Sequence, residues 1–174
     1  MRPPSAIQIF IISLLVAALA NAQPSFAKPR PKRKPAVNTI RAAGKVELSE
    51  NKVCRKDAVC YVITGNINIA GLGKAELTGE GTSNPSTCRP NGTEGMCCKE
   101  ALFAIAQTGP DTSIDFSISG QDCTKSERKE ILKASVKITG GTGRFKGASG
   151  SGTATMTIDP ELGNGTISIA AQLK

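Results

Sequence analysis

Few residues of this 174-residue chain have the types and spacing that catalysis or metal binding requires. The chain contains no histidine, which excludes a Ser-His-Asp or Cys-His catalytic arrangement. It has six cysteines, but none in the Cys-x-x-Cys spacing of a zinc site, so we expect no metal and no cofactor. Paired carboxylates for glycoside chemistry would have to come from acidic residues in predicted turns, such as Asp159 and Glu161. The sequence therefore identifies neither catalytic nor ligand-binding residues.

The cysteines are better explained as disulfides. They are Cys54, Cys60, Cys88, Cys97, Cys98 and Cys123. An even number of cysteines in an exported chain predicts disulfide bonds, and the short loop makes Cys54–Cys60 the first choice. Cys97 and Cys98 are adjacent, so on a strand they would point to opposite faces and need different partners. Cys88 and Cys123 are the cysteines that remain for them.

The N-terminal segment has the pattern of an export signal. Met1-Arg2 is followed by an uncharged apolar run at residues 9–20, and Ala20-Asn21-Ala22 fits the small-x-small cleavage pattern. The run is shorter than the roughly 20 residues that span a bilayer. We therefore predict a signal peptide at residues 1–22 and a secreted or periplasmic product. An uncleaved N-terminal anchor is the alternative.

A basic, proline-rich segment follows. Its basic residues are Lys28, Arg30, Lys32, Arg33 and Lys34. Proline disfavours helices and central strands, so residues 23–37 are predicted to form an extended, disordered tail. The net charge of +8 is largely local, because without Arg2 and these five residues the 22 Lys and Arg become 16, against 14 Asp and Glu.

The concentrated charge of the tail predicts an anionic partner. For an exported chain, an anionic envelope polymer or a lipid surface is a better electrostatic partner than nucleic acid, which we do not expect. A solubilising spacer without a partner is one alternative. A dibasic processing site at residues 32–34 is another.

Residues 38–174 show the period-two pattern of half-buried strands and predict one β domain. Ala154, Met156 and Ile158 alternate with threonines, and residues 166–173 repeat the pattern after an Asp-Pro and Asn-Gly turn. Seven or eight such strands predict an all-β fold, a single closed antiparallel β-barrel of about eight strands, with a β-sandwich as runner-up. Residues 98–107 have helical propensity but are predicted as a strand, and residues 125–133 are predicted to contain one helical turn.

The glycine-rich stretch ITGGTGRFKGASGSGT, residues 138–153, raises the question of phosphate binding. It fits neither a Walker loop, because Lys146 precedes Gly147, nor a GxGxxG turn that opens a helix. A structural turn is the better interpretation, with glycines at positive φ or in a bulge after Ile138 and with Phe145 returning to the core. The predicted turn comprises Gly140, Gly141, Gly143, Arg144, Phe145 and Gly147. Arg144 is expected to pair with a carboxylate or be solvated, with anion binding as the alternative.

This stretch, together with the terminal hairpin GTISIAAQL, resembles the allene oxide cyclase and dirigent-like β-barrel superfamily, in particular its small exported bacterial members. The resemblance implies an eight-stranded antiparallel barrel with an internal hydrophobic pocket, often oligomeric in plants. Plant cyclases of this type hold an epoxy fatty acid, and dirigent proteins position phenoxy radicals with the help of acidic residues. The functional residues of neither group are matched in this sequence. Asp115 is predicted to point outward because its neighbours Ile114 and Phe116 are apolar.

Two hypotheses about function follow. The first is an exported, disulfide-stabilised barrel without catalytic activity that binds a small apolar ligand or acts at the cell envelope. The second is a cyclase- or dirigent-like enzyme or reaction guide that uses an apolar barrel cavity. A polar or charged side chain pointing into the barrel would favour the second hypothesis. An oligomer is compatible with either.

Overall fold

A computed structural model of the chain describes residues 38–50, 58–92, 95–126 and 129–174. The predicted signal peptide at residues 1–22 and the predicted tail at 23–37 lie outside the described residues. The same is true of Cys54. The side chains discussed below all belong to the described part of the chain.

The described residues form eight strands. These are β1 (Thr39–Glu50), β2 (Val59–Ile69), β3 (Gly73–Pro90), β4 (Met96–Gly109), β5 (Thr112–Ser126), β6 (Lys129–Gly141), β7 (Gly150–Asp159) and β8 (Asn164–Leu173). Each strand pairs antiparallel with the next, and β8 pairs with β1, so the sheet closes into a barrel. The predicted all-β closed antiparallel barrel is confirmed, and the β-sandwich is not formed.

Aliphatic side chains fill the middle of the barrel. Along β5, for example, Ile114, Phe116 and Ile118 are each at most 1% exposed and alternate with more accessible residues. Burial of each such side chain stabilises the fold by about 1.5–3 kcal/mol. Because consecutive strand residues face opposite sides, the same alternation on every strand supplies both the core and the outer surface. The interior is therefore a packed core along most of the length of the barrel.

Two segments with helical propensity are strands in the structure. Residues 98–107 lie in β4, as predicted, whereas the helical turn predicted within residues 125–133 was wrong for the part described, since residues 129–133 lie in β6. Leu132 explains the difference, because it is 1% exposed and pairs with Asp122 of β5 and Met156 of β7. Burial in the sheet outweighs a weak local helix preference. In the described part of the chain, no helix has the length and apolarity needed to cross a membrane.

The glycine-rich turn connects β6 to β7 through backbone that favours glycine. Gly141, Gly143 and Gly147 have φ angles of 153°, 57° and 73°. A Cβ atom on Gly141 would lie 2.3 Å from a backbone oxygen, so a larger residue would not fit there. Phe145 is 4% exposed and belongs to the core, while the guanidinium of Arg144 lies 5.3 Å from the centre of the Phe145 ring. The arginine therefore stacks on the turn that carries it.

The strand before this turn also contains a bulge. Asp115 pairs with Gly140, and Phe116 pairs with Ile138, which leaves Thr139 as an extra residue in β6. The strand continues to Gly141 rather than ending at Ile138.

Disulfides join neighbouring strands of the barrel. Cys97 of β4 bonds to Cys123 of β5, which lies directly opposite, and Cys88 of β3 bonds to Cys98 of β4. The adjacent cysteines thus have different partners, as their opposite orientation on a strand requires. Cys60 is also disulfide-bonded. Disulfides of this kind are typical of oxidising compartments and indicate a protein located outside the cytosol.

Candidate ligand-binding site at the barrel mouth

At one end of the barrel the inward-facing series of apolar residues changes to carboxylates. Glu100 continues the inward series of Leu102 on β4, and Asp122 continues that of Ile118 on β5. Glu130 takes the corresponding position near the start of β6. Because the three strands are neighbours in the sheet, the three carboxyl groups converge at this end, which we call the mouth. The packing of the core is thus replaced here by a cluster of acidic groups.

A tyrosine completes the cluster. Tyr61 of β2 is 7% exposed, and its ring lies over Gly81, the residue opposite it on β3. A Cβ atom at position 81 would lie 2.0 Å from Cζ of Tyr61, so only glycine leaves room for the ring. The missing side chain lets the phenol lean across β3 towards Glu100 of β4, and its hydroxyl interacts with that carboxyl.

The mouth encloses a cavity of about 310 Å³. Its wall is formed by Leu48, Ser49, Val59, Tyr61, Ser83, Cys98, Glu100, Asp122, Thr124, Glu130, Ile158, Pro160 and Gly163. None of these described lining residues is lysine or arginine. The cavity therefore has an acidic floor and a partly apolar wall.

Several polar atoms of this site have no hydrogen-bond partner. Among the described residues, Tyr61 Oη, Glu100 Oε2 and Asp122 Oδ1 are buried and unpaired. Tyr61 and Glu100 are only 7% and 8% exposed. The Tyr61 hydroxyl and the Glu100 carboxyl interact, but neither Tyr61 Oη nor Glu100 Oε2 has a hydrogen-bond partner of good geometry. A buried polar group without a partner costs roughly 1–3 kcal/mol, so the site has hydrogen-bonding capacity that a ligand could satisfy.

Burial and mutual repulsion shift the protonation of the cluster. Burial raises the pKa of Glu100, the charge of Glu130 raises it further, and the Tyr61 hydroxyl partly offsets the increase. Burial, together with the charges of Glu100 and Glu130 and a hydrogen bond to Glu130, raises the pKa of Asp122 to about 7. Burial, followed by the charge of Glu100, also raises the pKa of Tyr61. At neutral pH the carboxyl group of Asp122 is therefore in part protonated.

The chemistry open to such a cluster is proton exchange and the binding of donors or cations. A carboxyl group with a pKa near 7 can both donate and accept a proton at neutral pH. In the described part of the chain, no group of three His, Cys, Asp or Glu residues has the arrangement needed to hold a metal ion.

The acidic residues considered from the sequence do not line the cavity. Asp115 has the outward orientation expected from its buried neighbours Ile114 and Phe116. The carboxylate of Asp159 accepts hydrogen bonds from the backbone N–H groups of Glu161 and Leu162, so it stabilises the β7–β8 turn. The glycine-rich turn follows β6 at the end of the barrel opposite the mouth. Of the cysteines, Cys98 reaches the cavity wall.

The acidic cluster was missed in the sequence, although a signal for it was present. Glu100 is in phase with Leu102 and Ala104, and Asp122 is in phase with Ile118. Extension of the period-two pattern to the strand ends would have placed these carboxylates inside the barrel.

A larger depression of about 660 Å³ lies on the outer surface across β2–β5. It includes Phe103, which is 48% exposed. Its wall contains the backbone of Gly79 and Gly81 and outward-facing side chains, and Glu80 there is exposed. The mouth is the better candidate because it combines a cavity with buried, unpaired polar atoms.

Comparisons with known proteins give one structural likeness. No protein-family model matches the sequence, and no curated protein matches it. Among solved structures, the chain is similar to the pterocarpan synthase dirigent protein, with a TM-score of 0.43 and 14% identity over 80% of this chain and 97% of that chain. The interpretation of the mouth therefore rests on its own geometry.

Proposed function

We propose that this protein binds a small molecule at the mouth of its barrel. The observation that carries the proposal is the presence of buried, unpaired polar atoms of Tyr61, Glu100 and Asp122 in one cavity of about 310 Å³. Evolution of a purely structural barrel would favour apolar residues at these positions, because unpaired buried polar groups destabilise the fold. A ligand that supplies hydrogen-bond donors would remove that cost.

The composition of the cavity wall indicates an amphipathic ligand. Leu48, Val59 and Ile158 offer apolar contacts, while Tyr61 and Glu100 offer acceptors. The ligand predicted from the sequence was small and apolar. An apolar body with one polar head fits this wall better, and it would bind at the mouth because the middle of the barrel is packed.

Native mass spectrometry tests ligand binding. The protein, purified from the compartment to which it is exported, is measured before and after organic extraction, together with Ser83→Phe, which fills the cavity, and Ser119→Phe on the outer surface. We expect a specific bound mass in the wild type and in Ser119→Phe, and its loss in Ser83→Phe. A bare wild-type mass, with no NMR shift changes at the mouth on addition of small aliphatic alcohols, acids and amines, would overturn the proposal.

A reaction guide of the cyclase or dirigent kind is the second candidate function. The observation that favours it is the presence of the ionisable side chains of Glu100 and Asp122 inside the barrel, since carboxyl groups with raised pKa values can serve as general acids or bases. The test is the ratio of stereoisomers formed when phenoxy radicals, generated by an external oxidant, couple in the presence of the protein. We expect a biased ratio that Glu100→Gln abolishes, and a racemic product with the wild type would reject this function.

We also propose that the chain is exported, with cleavage after Ala22, and that its basic tail binds an anionic surface. The disulfides and the charge of residues 28–36 support this proposal. Deletion of residues 28–36 is expected to weaken binding to vesicles of anionic lipid and to remove its dependence on salt. Equal binding by the truncated protein would show that the tail is only a spacer.

A further inference from the structure

We propose that the ligand of the mouth is an organic cation, a primary ammonium group on a short apolar chain, held by Tyr61, Glu100 and Asp122. This inference rests on the proposed function, since it specifies the chemical class of the molecule that the mouth binds. It is carried by the match between the donors of an ammonium group and the unpaired atoms of the site.

The number and kind of unpaired atoms fit an ammonium group. An ammonium carries three N–H donors and no acceptor. The mouth presents three buried, unpaired oxygens, Tyr61 Oη, Glu100 Oε2 and Asp122 Oδ1, all of which can accept. A neutral alcohol has only one O–H donor, so it would leave two of these oxygens unsatisfied. The site is thus better matched to a cation than to an alcohol.

The electrostatic field of the mouth has the same preference. Glu100 and Glu130 each act on Asp122 through their charges, and the described lining residues contain no lysine or arginine to balance them. A bound positive charge would relieve the repulsion within the cluster. The partly buried position of the carboxyl groups makes this attraction stronger than it would be in bulk water. The ring of Tyr61 adds an aromatic surface of the kind that binds organic cations.

The size and shape of the cavity limit the rest of the ligand. A volume of about 310 Å³ equals the share of about ten water molecules, so the ligand has on the order of ten non-hydrogen atoms. The side chains of Leu48, Val59 and Ile158 lie on the cavity wall and would contact its carbon chain. A simple aliphatic monoamine therefore represents the proposed class.

Binding of such a cation must depend on pH. The titratable groups that face Asp122 are Tyr61 from β2, Glu100 from β4 and Glu130 from β6, while Cys98 is disulfide-bonded and does not titrate. Below pH 7 the cluster holds protons that the cation must displace, so binding releases protons and weakens as the pH falls. An aliphatic amine stays protonated up to about pH 10. The affinity should therefore rise by roughly tenfold or more between pH 5 and pH 8.

Isothermal titration calorimetry with n-hexylammonium chloride and n-hexanol tests the inference. The proteins are the wild type, Glu100→Gln and Asp122→Asn, with Glu80→Gln as the control. Glu80→Gln makes the same charge change on the exposed outer surface of β3. We expect the wild type and Glu80→Gln to bind the ammonium ion at least tenfold more tightly than hexanol, and more tightly at pH 8 than at pH 5. Both mouth variants should lose tenfold or more, and heats in buffers of different ionisation enthalpy should show proton release.

The outcomes separate this inference from the proposed function. If hexanol binds as well as hexylammonium, or if both mouth variants bind the cation like the wild type, the mouth is not a cation site, although ligand binding stands. If hexanol and hexylammonium both fail to bind and the purified protein also carries no ligand, both proposals fail. Circular dichroism checks that the two mouth variants are folded. A similar loss of affinity in both variants shows that the loss does not come from misfolding of one of them.

Discussion

Substitution of Asp122 by asparagine should change how the stability of the barrel depends on pH. The raised pKa of Asp122, about 7 against an ordinary 3.8, means that the folded protein prefers the protonated form of this side chain. Below pH 4 the group is protonated in both states, so its stabilising contribution is complete there. As the pH rises from about 4 to about 7, the unfolded chain loses the proton first, and the free energy of unfolding falls.

The size of this effect follows from the two pKa values. The difference between the folded and unfolded pKa values of Asp122 would change the free energy of unfolding by about 4 kcal/mol if the full shift applied. Asp122 is only partly buried, and screening by solvent reduces the expected value to about 2 kcal/mol. Asparagine has a similar shape but does not titrate. The difference in the free energy of unfolding between Asp122→Asn and the wild type should therefore be about 2 kcal/mol more favourable to the variant at pH 8 than at pH 4.

Chemical denaturation with the disulfides intact, repeated from pH 4 to pH 8, measures this difference. Asp111→Asn is the control, because it makes the same charge change at an exposed position in the β4–β5 turn, outside the cavity. For a domain of this size, a difference of about 2 kcal/mol corresponds to a difference in melting temperature of roughly 6–8 °C. If the pH profiles of the wild type and Asp122→Asn are parallel within about 0.5 kcal/mol, the electrostatic account of the mouth is refuted.

Two further predictions concern the residues that support the mouth. Gly81→Ala should destabilise the fold by about 1–3 kcal/mol and shift the near-ultraviolet signal of Tyr61, because the new methyl group would overlap the ring. The control is Gly109→Ala, which should be nearly neutral because nothing lies within 4 Å of the added Cβ atom. Equal effects of the two substitutions would contradict the packing described. Replacement of Cys97 and Cys123 by serine should lower the free energy of unfolding by about 3 kcal/mol in denaturation without reductant, and a loss below 1 kcal/mol would show that this disulfide constrains the unfolded chain little.

The barrel could be predicted from the sequence because the period-two pattern repeats on nearly every strand. Ile114, Phe116 and Ile118 on β5 lie inside, as their spacing indicates. In a meander, each strand pairs with the next, so the order of strands along the chain is also their order around the barrel. Local pattern and global fold agree in such a topology, which is why few alternatives remained.

The period-two pattern places Glu100 and Asp122 inside the barrel, but the candidate site as a whole could not be predicted from it. The role of Glu100 depends on Tyr61, which is far from it in sequence and reaches it only because β3 carries glycine at position 81. Glu130 lies in a charged segment whose local preference is helical, so its inward orientation emerges only when Leu132 is buried in the sheet. Polar residues at inward positions also look like surface residues in a sequence, since polarity and burial usually exclude each other.

The disulfides stabilise the mouth, where apolar packing between the strands is missing. Along most of the barrel, apolar packing holds neighbouring strands together, but at the mouth that packing gives way to acidic groups that repel one another. The Cys97–Cys123 disulfide joins β4 to β5 beside Asp122, and Cys98, which bonds to Cys88 of β3, lies directly opposite Asp122. Two covalent links thus connect the three strands at the end where the carboxylates weaken their association. A barrel without a function at this end would gain stability by replacing the carboxylates with apolar residues, so their presence together with the disulfides favours a role in binding.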